Sequence, residues 1–147
     1  MKKFELTTES RIVKGKKVFR IKALVDFGVV KKGKIGGFVE KEDNLSHYGD
    51  AWVFGDASVF GNASVFGNAR VFGNKDYATV SGFGSQNRTT TFFRQKDGSI
   101  GVRCGCFYGT IDDFMAKVRE THGDTKYAAE YLAIADLMET HLNSEVK

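Results

Sequence analysis

Apolar and polar positions alternate along most of the chain, and the spacing becomes helical only near the C-terminus. Residues 2–8 alternate well enough for a strand. Arg11-Ile12-Val13 and Val18–Val25 make two more, joined by a turn at Lys14-Gly15-Lys16. From Gly49 to Gly73 the alternation hardens into a repeat: Gly-Asp-Ala-Trp-Val-Phe, Gly-Asp-Ala-Ser-Val-Phe, Gly-Asn-Ala-Ser-Val-Phe and Gly-Asn-Ala-Arg-Val-Phe, without a gap. Ala51, Ala57, Ala63 and Ala69 stand two residues before Val53, Val59, Val65 and Val71, so each Ala–Val pair shares one strand face. The Gly-Asp or Gly-Asn that follows tolerates left-handed backbone and marks a corner. A strand and a corner in every unit predict a β-solenoid, which buries its apolar side only by stacking turn on turn.

The repeat extends in both directions. Asn44–Gly49 fits the frame with Leu45 at the Ala position and His47 at the Val position, pointing inward. Ala78-Thr79-Val80-Ser81-Gly82 fits if Lys75-Asp76-Tyr77 is a loop at a corner. Gly36–Glu40 reads as an irregular extra strand, and Gly82–Asn87 as a linker. Beyond it, Thr89–Arg94 and Ile100–Phe107 form a hairpin about Lys96-Asp97-Gly98. Thr110 opens a helix with acids in its first turn, ending near Gly123. A second helix runs from about Asp124 to Leu142, with Tyr127, Tyr131, Ile134 and Leu142 at helical spacing.

Written from its valine, the unit is Val-Phe-Gly-Asn-Ala-Ser, which resembles the hexapeptide repeat of left-handed parallel β-helices. That resemblance implies the handedness. The expected architecture is mainly β with C-terminal α. An N-terminal β-meander (1–43) caps a short left-handed parallel β-helix of about two turns (44–84), and a ββαα domain (88–147) follows. Phe54, Phe60, Phe66 and Phe72 sit beside the inward valines and are expected to point out, with Phe72 stacked over Phe54. Four exposed rings form a patch too apolar for a monomer, so a homo-oligomer, a trimer, is expected through them.

Composition narrows the class. The chain has 147 residues, a net charge of +4 and 41% hydrophobic residues, enough for a core. Residues 1–48 carry 12 Lys and Arg against 6 Asp and Glu, whereas 85–147 carry 8 against 9. The basic residues cluster beside glycines in expected turns, and nucleic acid is a disfavoured partner. No apolar run reaches membrane-span length, and Met-Lys-Lys-Phe-Glu-Leu-Thr does not read as a signal-peptide core. Two cysteines without disulfide-like spacing suit a reducing cytoplasm.

No phosphate loop, dinucleotide fingerprint, zincin helix or serine elbow occurs, so no catalytic residue, metal site or cofactor is expected. His47 reads as a histidine satisfied at the end of the repeat; the sharper alternative is a general base, as in hexapeptide acyltransferases. Cys104 and Cys106, on one strand face, lack a second ligand pair for zinc and read as free thiols. Arg88, Arg94 and Arg103 on the hairpin, with His122, Lys126 and Tyr127 at the helix junction, are the candidates for an anionic, nucleotide-like ligand at subunit interfaces. Their alternative is a set of surface arginines and a capping turn.

Gly-Gly-Phe-Val-Glu-Lys-Glu-Asp-Asn-Leu-Ser-His before the repeat, and Thr-Phe-Phe-Arg, Cys-Gly-Cys-Phe-Tyr-Gly-Thr and Glu-Thr-His-Gly-Asp after it, resemble small, largely uncharacterised phage and prophage proteins. The resemblance implies a phage-encoded, non-enzymatic protein in the cytoplasm of an infected bacterial host. The expected role is counter-defence by sequestering a nucleotide-like molecule. The alternatives are an anti-CRISPR-like inhibitor that docks on a host defence protein and a hexapeptide acyltransferase.

Overall fold

The structure, a computed structural model, describes residues 2–83 and 88–142. The strands expected at 2–8 and 11–13 are one continuous strand, and the next begins at Lys16 rather than Val18. Strand β1 (Phe4–Val13) pairs antiparallel with β2 (Lys16–Ala23), with a register shift between Leu6 and Ser10. The two-residue turn between them, Lys14-Gly15, has positive φ at both positions, the geometry that matches the twist of a hairpin. Strand β3 (Ile35–Val39) then pairs antiparallel with β2 on one side. On its other side it pairs parallel with β5 (Ser58–Val59), Phe38 opposite Ser58 and Val39 opposite Val59. β3 is therefore the join between meander and repeat.

The alanines and valines of the repeat are all buried, none more than 5% exposed. They line a core with Phe4, Ile21, Leu45 and Trp52. The segments stack in two tiers. Strand β4 (Trp52–Val53) lies parallel to β6 (Arg70–Val71), and a single parallel bridge joins Leu45 to Val65. The expected left-handed parallel β-helix is not formed. Its strands are two residues long and pair in twos at most, and the longer strands lie in antiparallel or mixed sheets. A six-residue unit with a Gly-Asp corner leaves about two residues free to pair. With two tiers, the outer edges go to β2 and to Gln95, which bridges Ala69 antiparallel.

Two parts of the expected frame also shift. Leu45, not His47, occupies the valine-type position, opposite Val65. Leu45 and Val65 are twenty apart, as are Val39 and Val59, whereas Val53 and Val71 are eighteen apart. Two extra residues in the corner before Trp52 carry His47 out of the inward row. Tyr77–Phe83 is not another repeat unit. It is strand β7, which pairs antiparallel with β8 (Arg88–Arg94), so Gly82 and Phe83 are strand rather than linker. The rest of that linker, 84–87, lies outside the described residues.

The C-terminal sheet has the order β10-β9-β8-β7, with β9 at Ile100–Cys104 and β10 at Phe107–Thr110. The C-terminal body therefore has four strands before its helices, not two. What looked like one strand over 100–107 is broken by a turn at Gly105-Cys106, so the two cysteines do not share a strand face. Gly105 has φ +58° at the first central position, where a tight hairpin turn asks for glycine. Helix α1 (Ile111–His122) starts at a reciprocal cap: Thr110 Oγ1 accepts from Asp113 N–H, and Asp113 Oδ2 accepts from Thr110 N–H, both at 3.2 Å. Helix α2 is Lys126–Leu142. Both helices cover one face of the sheet, where Phe92, Val102, Phe114, Tyr131 and Met138 form a second core.

Gly37 shows how closely the meander approaches the repeat. A Cβ there would meet Ala57 O at 2.5 Å and Val53 Cγ1 at 2.7 Å, and Phe38 N–H donates to that same Ala57 carbonyl at 2.9 Å. Gly37→Ala should cost about 1–3 kcal/mol, the ordinary penalty for overpacking. Gly73→Ala, with nothing within 4 Å and no positive φ, is the neutral control. Thermal denaturation of the pair checks this; equal melting temperatures would refute it.

Candidate functional site

Strand alternation sends Thr90, Phe92 and Cys104 towards the helices, and Thr91, Phe93 and Arg103 towards the repeat. A cavity of about 290 Å³ opens on the helix side. Its apolar floor is Phe107, Phe114, Val118 and Tyr131, and Arg88, Lys117 and His122 supply the polar rim together with Thr121, Cys104 and Cys106. No carboxylate among the described residues lines it. Lys117 has one exposed ion pair, to Glu120 at 3.7 Å, which costs little to break.

The cavity is held by aromatic packing. Phe114 meets Phe92, Phe107 and Tyr131 with ring centroids 5.5–5.9 Å apart. His122 stacks on Tyr131 at 6.1 Å and leans on Tyr127 at 5.6 Å. The Tyr131 hydroxyl donates to Phe83 O at 3.1 Å, and burial raises its pKa above the ordinary phenol value, so it remains a neutral donor. Cys104 Sγ accepts from the Thr90 hydroxyl at 3.2 Å. No group of three or more His, Cys, Asp or Glu that could hold a metal occurs among the described residues.

Of the six residues singled out in the sequence, the structure brings Arg88 and His122 together in this cavity. Arg103 lies on the opposite face of the sheet, its guanidinium 4.4 Å from the Phe66 ring centroid, and lines a second, polar cavity of about 360 Å³. Arg94 pairs with Asp76 at 3.3 Å, while the other Asp76 oxygen accepts from Phe72 N–H at 2.7 Å. It locks the corner at Asn74–Asp76 rather than facing a cavity. Lys126 and Tyr127 stand at the start of α2, 6.0 Å from ammonium to ring, and line neither cavity. Lys117 and Thr121 escaped the sequence reading, and Tyr131 entered it only for its helical spacing. The signal for the first two was there, since Phe114, Lys117, Val118 and Thr121 recur at helical spacing and so share one face.

His47 is wholly engaged in structure. Its Nδ1 accepts from Lys3 N–H at 3.0 Å, which puts the proton on Nε2, and Nε2 donates to Glu42 Oε1 at 3.0 Å. The ring stacks on Phe4 at 4.3 Å. His47 pins the first strand to the repeat. The four phenylalanines are also less exposed than their positions suggest. Phe72 stacks on Phe54 at 4.4 Å and is 59% exposed, but Phe54, Phe60 and Phe66 are half-buried. Arg103 and Tyr108 cover Phe66. No helix among the described residues is long and apolar enough to cross a membrane.

A scan against models of protein families finds no match for this chain, and a search of curated proteins finds none either.

Proposed function

We propose that this chain is a non-enzymatic binding protein for an anionic aromatic ligand of mononucleotide size, held in the cavity between the C-terminal sheet and its helices. The observation that carries this reading is the composition of the cavity wall. Arg88, Lys117 and His122 stand around an aromatic floor, and no carboxylate among the described residues lines it. A guanidinium and an ammonium suit a phosphate, and aromatic faces suit a base. The volume lies at the low end of small-molecule pockets, which fits one nucleotide rather than a long cofactor. In the setting implied by the phage-like residues, such a binder would sequester a nucleotide signal of the host's defence.

Calorimetry with adenosine-derived and cyclic mononucleotides tests this. At least one should bind and be recovered unchanged after heat denaturation. Arg88→Ala and Lys117→Ala should each weaken it by about 10- to 100-fold, the loss of one charge-assisted contact. If no nucleotide binds and a host protein co-purifies with the chain from infected cells, direct docking on that protein replaces this reading.

A further inference from the structure

The second cavity, of about 360 Å³, lies on the repeat side of the C-terminal sheet and is separate from the first. Arg88 is the partition. A Cβ on Gly105 would fall inside the Arg88 guanidinium, so that side chain packs on the hairpin turn and fills the gap between the two faces. Three stretches far apart in sequence build the second cavity. They are the corner that enters the repeat, with Lys41 and Asp43; the corner stacked on it, with Asn62 and Ser64; and the sheet, with Thr89 and Arg103.

These groups are held in place by the fold. The buried Asn44 accepts from Lys41 N–H at 2.9 Å and donates to Gly61 O and Ala63 O, which fixes the two corners against each other. Glu40 Oε1 accepts from Gly61 N–H at 2.7 Å. Thr91 Oγ1 accepts from Ser64 N–H at 2.9 Å, which ties the second corner to the sheet. The Arg103 guanidinium lies 4.4 Å from the Phe66 ring centroid, so its charge is already oriented. Groups ordered in advance lose little freedom when a ligand arrives. Among the described residues neither Arg103 nor Asp43 has an ion-pair partner, and Lys41 Nζ donates to the neutral Asn62 Oδ1 at 3.3 Å.

The wall selects the ligand. No aromatic ring among the described residues lines this cavity, so nothing there receives a base. A guanidinium and an ammonium suit a phosphate. Asp43 would repel a bare anion, but a carboxylate and an amide oxygen accept from the hydroxyls of a sugar. Cations and a carboxylate in one small polar cavity therefore match a molecule with an anionic end and a hydroxyl end. The volume holds one monosaccharide rather than a chain. We infer that this cavity is a second binding site, for a phosphorylated monosaccharide, independent of the nucleotide-type site across the sheet.

Calorimetry with ribose 5-phosphate, glucose 6-phosphate, the two free sugars and inorganic phosphate tests this. At least one sugar phosphate should bind about ten-fold or more tightly than its sugar or phosphate alone. Lys41→Ala should weaken it by about 10- to 100-fold, the loss of one charge-assisted contact. Asp43→Ala should weaken the sugar phosphate but not inorganic phosphate, since it removes a hydroxyl acceptor and a repelling charge together. Both residues are exposed at a corner, and each variant is first melted to show that it folds. Lys117→Ala, which alters the first cavity alone, should weaken a mononucleotide and leave the sugar phosphate unaffected, so either site can fail without the other. The inference falls if neither sugar phosphate binds at millimolar concentration, if binding is indifferent to Lys41→Ala, or if it is lost in Lys117→Ala. Inorganic phosphate binding as tightly as the sugar phosphates would overturn it too, leaving a site for anions only.

Discussion

Asn44→Asp, a change of one atom, should remove about 3–5 kcal/mol of folding stability, much of what a domain of this size has. Asn44 is fully buried at the corner where the lead-in enters the repeat. Its Oδ1 accepts from Glu40 N–H at 3.1 Å and Lys41 N–H at 2.9 Å, and its Nδ2 donates to Gly61 O at 3.1 Å and Ala63 O at 2.9 Å. One amide thus joins the two tiers with all its short bonds satisfied. A carboxylate keeps the two acceptor bonds but turns an oxygen towards two carbonyl oxygens, with no donor between them. Protonation supplies only one of the two missing donors. Asn62→Asp, at an exposed corner beside Lys41, should lie within about 0.5 kcal/mol of wild type. Urea denaturation at neutral pH measures both. An Asn44→Asp protein within about 1 kcal/mol of wild type would show that this corner does not hold the tiers together.

The second large effect is on alkaline stability. Lys3 is buried, and its ammonium donates to Ala51 O at 2.7 Å and Gly49 O at 3.3 Å, 4.5 Å from the centre of the Phe27 ring. Desolvation lowers its pKa from 10.5 to about 8, partly offset by Asp50. Between these values the unfolded chain holds a proton that the folded chain has released, so stability rises as pH climbs from about 8 towards 10.5. The full gain is about 3 kcal/mol, at 1.36 kcal/mol per unit. Tyr77 acts in the opposite sense. Its phenol donates to Ser58 O at 2.8 Å, and burial raises its pKa from 10 to about 12. That contribution is complete below pH 10 and is lost as pH rises through 12. Stability should therefore peak at about pH 10. Urea midpoints at about pH 7.5, 10 and 11.5 trace the curve. Lys3→Met should flatten the rising limb and Tyr77→Phe should soften the falling one. A wild-type midpoint that does not move between the first two pH values would mean that the carbonyls and the ring solvate the ammonium as well as water does.

Local rules made part of this fold legible. The Ala–Val rows could be assigned inward because a strand has period two and both residue types suit a narrow core. Thr110 and Asp113 announced α1 because a capping box is a contact between near neighbours. The misreadings involve partners distant in sequence. Ala78 and Val80 satisfy the repeat's spacing, yet Thr79 lies opposite Thr91 in an antiparallel pair. Two residues added in one corner moved His47 out of the row and left the six-residue rhythm on either side intact. Cys-Gly-Cys-Phe continued the alternation and hid a turn that its glycine could have signalled. Of the site, Arg88 and His122 were visible as an arginine at a strand start and a histidine at a helix end. That they share a cavity depends on how the helices lie across the sheet, which no local pattern encodes.

Phe92 and Phe93 are neighbours in sequence, fully buried on opposite sides of one strand, each in a different core. The sheet of β7–β10 is thus a party wall between two rooms, and neither half can be cut away whole. A fragment beginning at Tyr77 would carry its helices but bare the Phe93 face to water. A fragment ending at Gly73 would lose Phe93 from its own interior. Such a chain has no seam at which to exchange halves with another gene. Limited proteolysis should accordingly find one cooperative block rather than two separable ones.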